Sequence, residues 1–380
     1  MSDMVSPLYG PALRARQGEL RGLSDLASDI AERILPRIII PPRSERDDEL
    51  QKVLMQHEDV PTPGTFLARF WPQRDLLLDP TFLIKDFGRE RMAYWLPKMF
   101  EHARKAGVSA IPLISFQELM KELAFAHRAA CADGPLKLAV RVSSADMVGP
   151  ELREHLLAAL DWLYLSPSDC AVIVDFSHAE FGQPELVSGV IQGSLEDLQE
   201  LGLWRHVIFQ ASNYPDKNPA LDNSSQLVAR NEWKAWRAAV DFDPNTAEHL
   251  IFGDYGADCP NFAFGGKGGP AIRHYRYATP DSWLVQRGSP TGNAESAMRD
   301  VCKKILASGH FAERTFSAAD EFIYLCAKGL AGPGQPWKWR AVNTTHHITR
   351  VVTDIGDVRN LHFAPVSVSE VVEQPFMFAE

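Results

Sequence analysis

The chain has 380 residues, 45% of them apolar and 23% charged, an ordinary composition for a soluble protein with material for a sizeable core. Its formal net charge is −10, from 39 basic and 49 acidic side chains, which argues against non-specific nucleic-acid binding, since such surfaces are usually basic. No apolar run approaches the ~20 residues that cross a bilayer, and MSDMVSPLYG lacks the basic-then-apolar order of a secretory signal, so no membrane span and a cytoplasmic location are expected.

In chain order, a short strand is predicted near SPLYGPALRA. Next comes GELRGLSDLASDIAERIL, where Leu20, Leu23, Leu26, Ile30 and Ile34 recur at three or four and give one apolar helix face. RIIIPP is a second strand stopped by Pro41 and Pro42, and the charged segment after it has a helical pattern. A Pro-rich connection over 57–70 leads to DLLLDP, the third strand. ERMAYWLPKMFEHARKAG reads as a helix kinked at Pro97, AIPLIS as the fourth strand, and FQELMKELAFAHRAAC as a helix. LKLAVRV, CAVIVDF, HVIFQAS and HLIFGDY are the fifth to eighth strands. Helices are expected at GPELREHLLAALDWLYL, ELVSGVIQGSLEDLQELG and SSQLVARNEWKAWRAAV between them.

Eight continuous apolar runs separated by helices point to strands buried on both faces and joined by crossovers. The fold class expected is therefore α/β, a (β/α)8 TIM-like barrel over residues 1–257 with a C-terminal α+β extension over 258–380 packed on it. The alternative is an open doubly wound sheet, but RARQGE lacks the GxGxxG spacing that such a sheet usually carries after its first strand. In the extension, AIRHYRYATPDSWLVQRG reads as two strands around a Thr-Pro-Asp turn, followed by helices near AESAMRDVCKKILAS and SAADEFIYLCAKGL. AGPGQPWKWR reads as a Gly/Pro loop and NTTHHITRVVTDI as the closing segment. Cys131, Cys170, Cys259, Cys302 and Cys326 are scattered, odd in number and free of CxxC spacing, which fits buried reduced thiols.

A barrel's active site lies where its strands end. The residues there are Arg14, Arg16, Gln17 and Glu19; Arg43; Asp79; Ser115; Arg141, Ser143 and Asp146; Asp175, Ser177, His178 and Glu180; Ser212, Asn213 and Tyr214; and Asp254 and Tyr255. Loops are polar in most proteins, and Ser115, Asp146 and Ser177 suit helix caps, while Asp79 before Pro80 suits a turn. Arg141 and Asp175 directly follow apolar runs, where an unpaired charge is costly. A functional pair and a structural Arg–Asp pair at the rim meet that cost equally. The adjacent His346 and His347 stand about 100° apart on a helix, which is not a zinc spacing, and one facing the barrel and one facing out is expected. Trp233 and Trp236 suit one buried helix face, and the two Trp flanking Lys338 either stack on a flat ligand or anchor their loop.

YGPALRARQGELRGL, the eight-run core and PWKWRAVNTTHHITRV together resemble the phage-type beta protein family of bacterial and prophage genomes. The family's Tyr-x-Pro strand, basic residue, Gly-Glu pair, late Trp-Arg and His-His map onto Tyr9, Pro11, Arg14, Gly18, Glu19, Trp339, Arg340, His346 and His347, with Arg14 standing where Lys is expected. The resemblance implies a prophage- or mobile-element-borne protein and supplies no catalytic residues.

Two functional classes follow. In the first, an enzyme, Arg14, Arg16, Arg141, Arg273 and Arg276 supply forked donors for a phosphate or carboxylate. Glu19, Asp175 and Asp254 act as acid–base groups or hold a divalent ion, and Asn213, Tyr255, Trp339 and His346 complete the binding surface. The substrate expected is a small anionic, phosphorylated or nucleotide-like molecule cleaved by water; paired carboxylates also fit glycoside hydrolysis. The cofactor is unspecified, magnesium being the ion that the DFSHAE carboxylates suit. In the second class the barrel is a non-catalytic scaffold for a protein partner in phage–host conflict.

Overall fold

The computed structural model describes residues 6–149, 151–177, 179–261 and 272–368. Seven of the apolar runs form β1 (Ala12–Arg14), β2 (Arg37–Ile39), β3 (Asp75–Asp79), β4 (Ser109–Ser115), β5 (Leu138–Ser143), β6 (Cys170–Asp175) and β7 (His206–Gln210). After β8 (Ser225–Ala229) comes the eighth run, β9 (Leu250–Gly253). The parallel sheet runs β1-β2-β3-β4-β5-β6-β7-β9, so neighbours in sequence are neighbours in space apart from β8. It nearly closes into a barrel. Tyr9, ahead of β1, bridges both Ile34 and Phe252, Gly10 N donates to Phe252 O (2.8 Å), and Ala12 N donates to Asp254 O (2.7 Å).

Alternation along each strand sorts the side chains. Leu77, Ala139, Ile173 and Ile208 pack together inside the barrel, while Leu76, Leu78, Val140, Val172 and Phe209 face outward into the shell of helices. Every one of these residues is buried, which is why the strands read as unbroken apolar runs.

Four sequence expectations change. SSQLVA is β8, not the start of a helix, and the helix begins only at Asn231. β8 leaves the barrel segment to pair antiparallel with β11 (Ser282–Arg287), which also pairs with β10 (His274–Ala278) around the expected turn. A strand partner distant in sequence decides its state, which local pattern cannot report. The first helical stretch breaks into Gln17–Ser24 and Ser28–Ala31, yet Leu20, Leu23, Ile30 and Ile34 are all buried, so the periodicity reports a buried face rather than one continuous helix. FQELMKELAFAHRAAC likewise splits into Phe116–Leu119 and Ala124–Ala130. Finally, PWKWR is not loop. Pro336 opens a helix that runs through both histidines to Val358, a position where proline's missing N–H costs nothing. No helix among the described residues is long and apolar enough to cross a membrane.

This final helix lies against Gln17–Ser24 at very short range. A Cβ on Gly22 would stand 2.5 Å from Thr344 Cβ and 2.9 Å from Ala341 O, and one on Gly18 would stand 2.7 Å from Trp337 O. Gly22→Val therefore separates the two helices, at a cost of about 1–3 kcal/mol typical of overpacking, or more where backbone must move. The expected reading is a lower urea midpoint than wild type; an unchanged midpoint would mean that the contact is not tight.

Candidate functional site

At the C-terminal ends of the strands the inward-facing positions turn from apolar to polar. One alternation beyond Leu77 is Asp79, beyond Ala139 is Arg141, beyond Ile173 is Asp175, and beyond Ile208 is Gln210. Arg37 starts β2, two residues before Ile39, but its side chain is long enough to reach this layer. Its Nη2 and Nε donate to Asp79 Oδ2 at 2.7 and 3.2 Å, and its Nη1 lies 3.7 Å from Asp175 Oδ2. Arg141 Nη1 donates to Asp175 Oδ2 (3.1 Å), and the Tyr255 hydroxyl lies 3.3 Å from the same oxygen. Ser177 gives its backbone N–H (3.0 Å) and its hydroxyl to Asp175 Oδ1, and Thr81 does the same for Asp79 Oδ1.

Both carboxylates are thereby saturated. Burial pushes Asp79 and Asp175 up, but Arg37 and Arg141 outweigh it and hold both below the usual carboxylate range. Burial and then the Asp175 charge push the Tyr255 hydroxyl up to about 12. The donors are in surplus: Arg37 Nη1 and Arg141 Nε are buried without a hydrogen-bond partner among the described residues.

A second network gathers around Asp258, which sequence reasoning passed over. Arg14 Nη1 (2.7 Å), Arg276 Nη1 (2.6 Å) and Arg340 Nη1 (3.6 Å) all point at its carboxylate. Burial raises the Asp258 pKa, and the three guanidinium groups together bring it well below the ordinary value. Arg14 Nη2 also holds Cys259 O and Asn261 O, so these arginines fasten the segment after β9. Glu19 accepts from Arg340 Nη1 (2.9 Å) and from Arg14 N (2.6 Å). Arg16 pairs with Glu45.

A third network surrounds Asp254, which is fully buried under the final helix. It accepts the Tyr9 hydroxyl, the Gly256 N–H (2.8 Å) and His347 Nε2–H (2.8 Å). The Trp283 indole N–H, 3.4 Å from His347 Nδ1, can only donate, so the proton sits on Nε2 and the ring is neutral. Burial lowers the His347 pKa in accord with that. One of the two histidines is expected to face out, but His346 is buried as well: its Nδ1 meets Asp320 (2.9 Å) and its Nε2 meets Ala278 O (2.7 Å). On a helix covered on both sides, a 100° separation sends the two rings into two different cores.

Glu19, Arg141, Asp175 and Asp254 thus fall in three networks, of which the mouth holds Arg141, Asp175 and Tyr255. Arg273 lies elsewhere, bound to the carbonyl oxygens of Ser289, Thr291 and Gly292. Trp339, in the final helix, is buried and donates to Pro333 O (2.9 Å), which anchors the loop before that helix. Asn213 gives its N–H to Glu232 (3.0 Å). Ser115 and Asp146 cap helices, and Trp233 and Trp236 stack in the buried shell. His178 lies outside the described residues. Among those described, no three His, Cys, Asp or Glu side chains come together to hold a metal ion. Sequence reasoning missed Arg37 and Gln210 because it read the residues after each run. The signal that finds Gln210 is the two-residue step inside its run, while Arg37 opens its run and carries no such signal.

A family model described as Beta protein matches residues 9–353 of the chain. No curated protein matches it.

Glu232, beside Asp254 in the third network, is pushed up to about 8 by burial first and then by the Asp254 charge. An unfolded Glu titrates near ~4.3. The folded chain therefore keeps a proton that the unfolded chain has lost, and this stability, complete below ~4.3, is lost as pH rises through about 8. Between pH 7 and 8 the wild type is expected to lose roughly 1 kcal/mol in urea unfolding while Glu232→Gln stays level. A wild-type midpoint that does not move over that interval would refute the shift.

Proposed function

The chain belongs to the Beta protein family, and we propose that the C-terminal mouth of its barrel binds the anionic oxygens of a small phosphorylated ligand. One observation carries the reading: the acceptors of Asp79 and Asp175 are filled, while Arg37 Nη1 and Arg141 Nε are buried donors with no acceptor among the described residues. A buried donor left unmade costs roughly 1–3 kcal/mol, more on a charged group, and an oxygen acceptor in the mouth removes that cost. The donors arrive from β2 and β5. A phosphoryl group, whose oxygens point several ways, suits them better than a planar carboxylate, which suits a single fork.

The same groups favour holding over turnover. Asp79 and Asp175 are kept ionised and Tyr255 is kept protonated at neutral pH, so none of the three is poised to exchange a proton there. Hydrolysis of the bound phosphate would need a base from elsewhere. The prophage setting belongs to this reading on the strength of the family resemblance, and the cytoplasmic location on that of the scattered, odd-numbered cysteines.

Calorimetric titration with adenosine monophosphate tests it. Saturable binding is expected, weakened about 10- to 100-fold by Arg141→Ala, the range of one charge-assisted hydrogen bond. Arg141 is partly exposed, so the variant is expected to stay folded, with thermal unfolding as the control. No saturable binding to wild type, or equal affinity in a folded Arg141→Ala, would overturn the reading.

A further inference from the structure

We infer that Gln210 selects the ligand, and that the ligand carries a hydrogen-bond donor such as a hydroxyl beside its anionic group. This rests on the anion-binding reading of the mouth. Gln210 ends β7, faces inward one alternation beyond Ile208, and stands in register beside Asp175 on β6. Its side chain is 1% exposed.

The orientation of its amide is fixed. Nε2 donates to Asp254 O at 2.9 Å and lies 3.5 Å from Gly10 O. Turning the amide over would set Oε1 against two carbonyl oxygens. Glycine at 253 makes the pose possible, since a Cβ there would stand 2.7 Å from Gly10 O and 3.2 Å from Gln210 Nε2. Oε1 is buried and has no donor among the described residues.

Two orphan donors and one orphan acceptor then belong to side chains that contact or flank Asp175. Arg37 Nη1 is 3.7 Å from it, Arg141 donates to it, and Gln210 is its neighbour on the next strand, ~4.8 Å away. A bare anion meets the two donors and leaves Gln210 Oε1 unmet. A phosphate ester with a hydroxyl meets all three. Sites built to pair a substrate hydroxyl reject the analogue that lacks it far more strongly than sites that merely exclude bulk, because the buried acceptor is then stranded.

The experiment compares methyl phosphate with glycerol 3-phosphate by calorimetry at pH 8, where both phosphates are dianions and only the second has a hydroxyl to donate. Wild type is expected to bind glycerol 3-phosphate at least tenfold more tightly. In Gln210→Met, similar in length but without the acceptor, that ratio is expected to fall towards one. A wild-type ratio near one overturns the inference while leaving the anion site standing, and so does a ratio that survives in a folded Gln210→Met. Binding of neither probe to wild type overturns the anion site itself. If Gln210→Met does not fold, the wild-type ratio alone decides.

Discussion

A single buried carboxylate, Asp254, fastens the end of the barrel to its beginning and to the helix that covers it. It is wholly excluded from solvent, and an isolated charge there would cost far more than the chain's net stability permits. Three donors offset that cost: the Tyr9 hydroxyl from the lead-in to β1, the His347 ring from the final helix, and the Gly256 N–H of its own turn. Its backbone carbonyl takes the Ala12 N–H and the Gln210 amide. The Tyr9 and His347 donors come from distant parts of the chain, so they are brought to Asp254 only when the sheet has curled and the helix has docked. The residue that follows, Tyr255, is thereby aimed at Asp175 in the mouth.

The two histidines of the final helix show how one local pattern serves two units. His347 closes the barrel network, while His346, one residue earlier, stacks on Tyr277 at 3.8 Å and meets Asp320 in the core formed by the C-terminal helices. Gly18 and Gly22 let Gln17–Ser24 come close enough for this helix to reach both. The histidine pair therefore reads as a fastening between packed units, a structural use of a residue type often associated with metals or proton transfer.

The eight runs and their order were legible because strands buried on both faces leave an apolar signature that needs no partner to be recognised. β8 was not, because Ser225–Ala229 is largely exposed and owes its state to β11, some fifty residues away in the chain. The same divide runs through the site. Arg141 and Asp175 were legible as charges ending apolar runs, and they do meet in the mouth. Arg37 was hidden because it opens its run, and only the reach of its side chain brings it to the far end of the barrel. Asp258 was hidden because what makes it central, three arginines from β1, β10 and the final helix, is assembled by tertiary structure alone.

The contrast between the Asp258 cluster and the mouth is what the proposed anion site rests on. By charge the Asp258 cluster is the richer in arginine, and a survey of basic residues would choose it. Yet Arg14 and Arg276 spend their donors on Asp258 and on the carbonyls of Ala257, Cys259 and Asn261, which is how a segment of chain is pinned. In the mouth the carboxylates are the saturated partners, and Arg37 Nη1, Arg141 Nε and Gln210 Oε1 are buried atoms with no partner among the described residues. Excess charge marks where anions are attracted in general; unmet, buried and oppositely typed hydrogen-bonding atoms mark where one particular molecule fits. It is the second property that singles out the layer formed by Arg37, Arg141, Asp175 and Gln210.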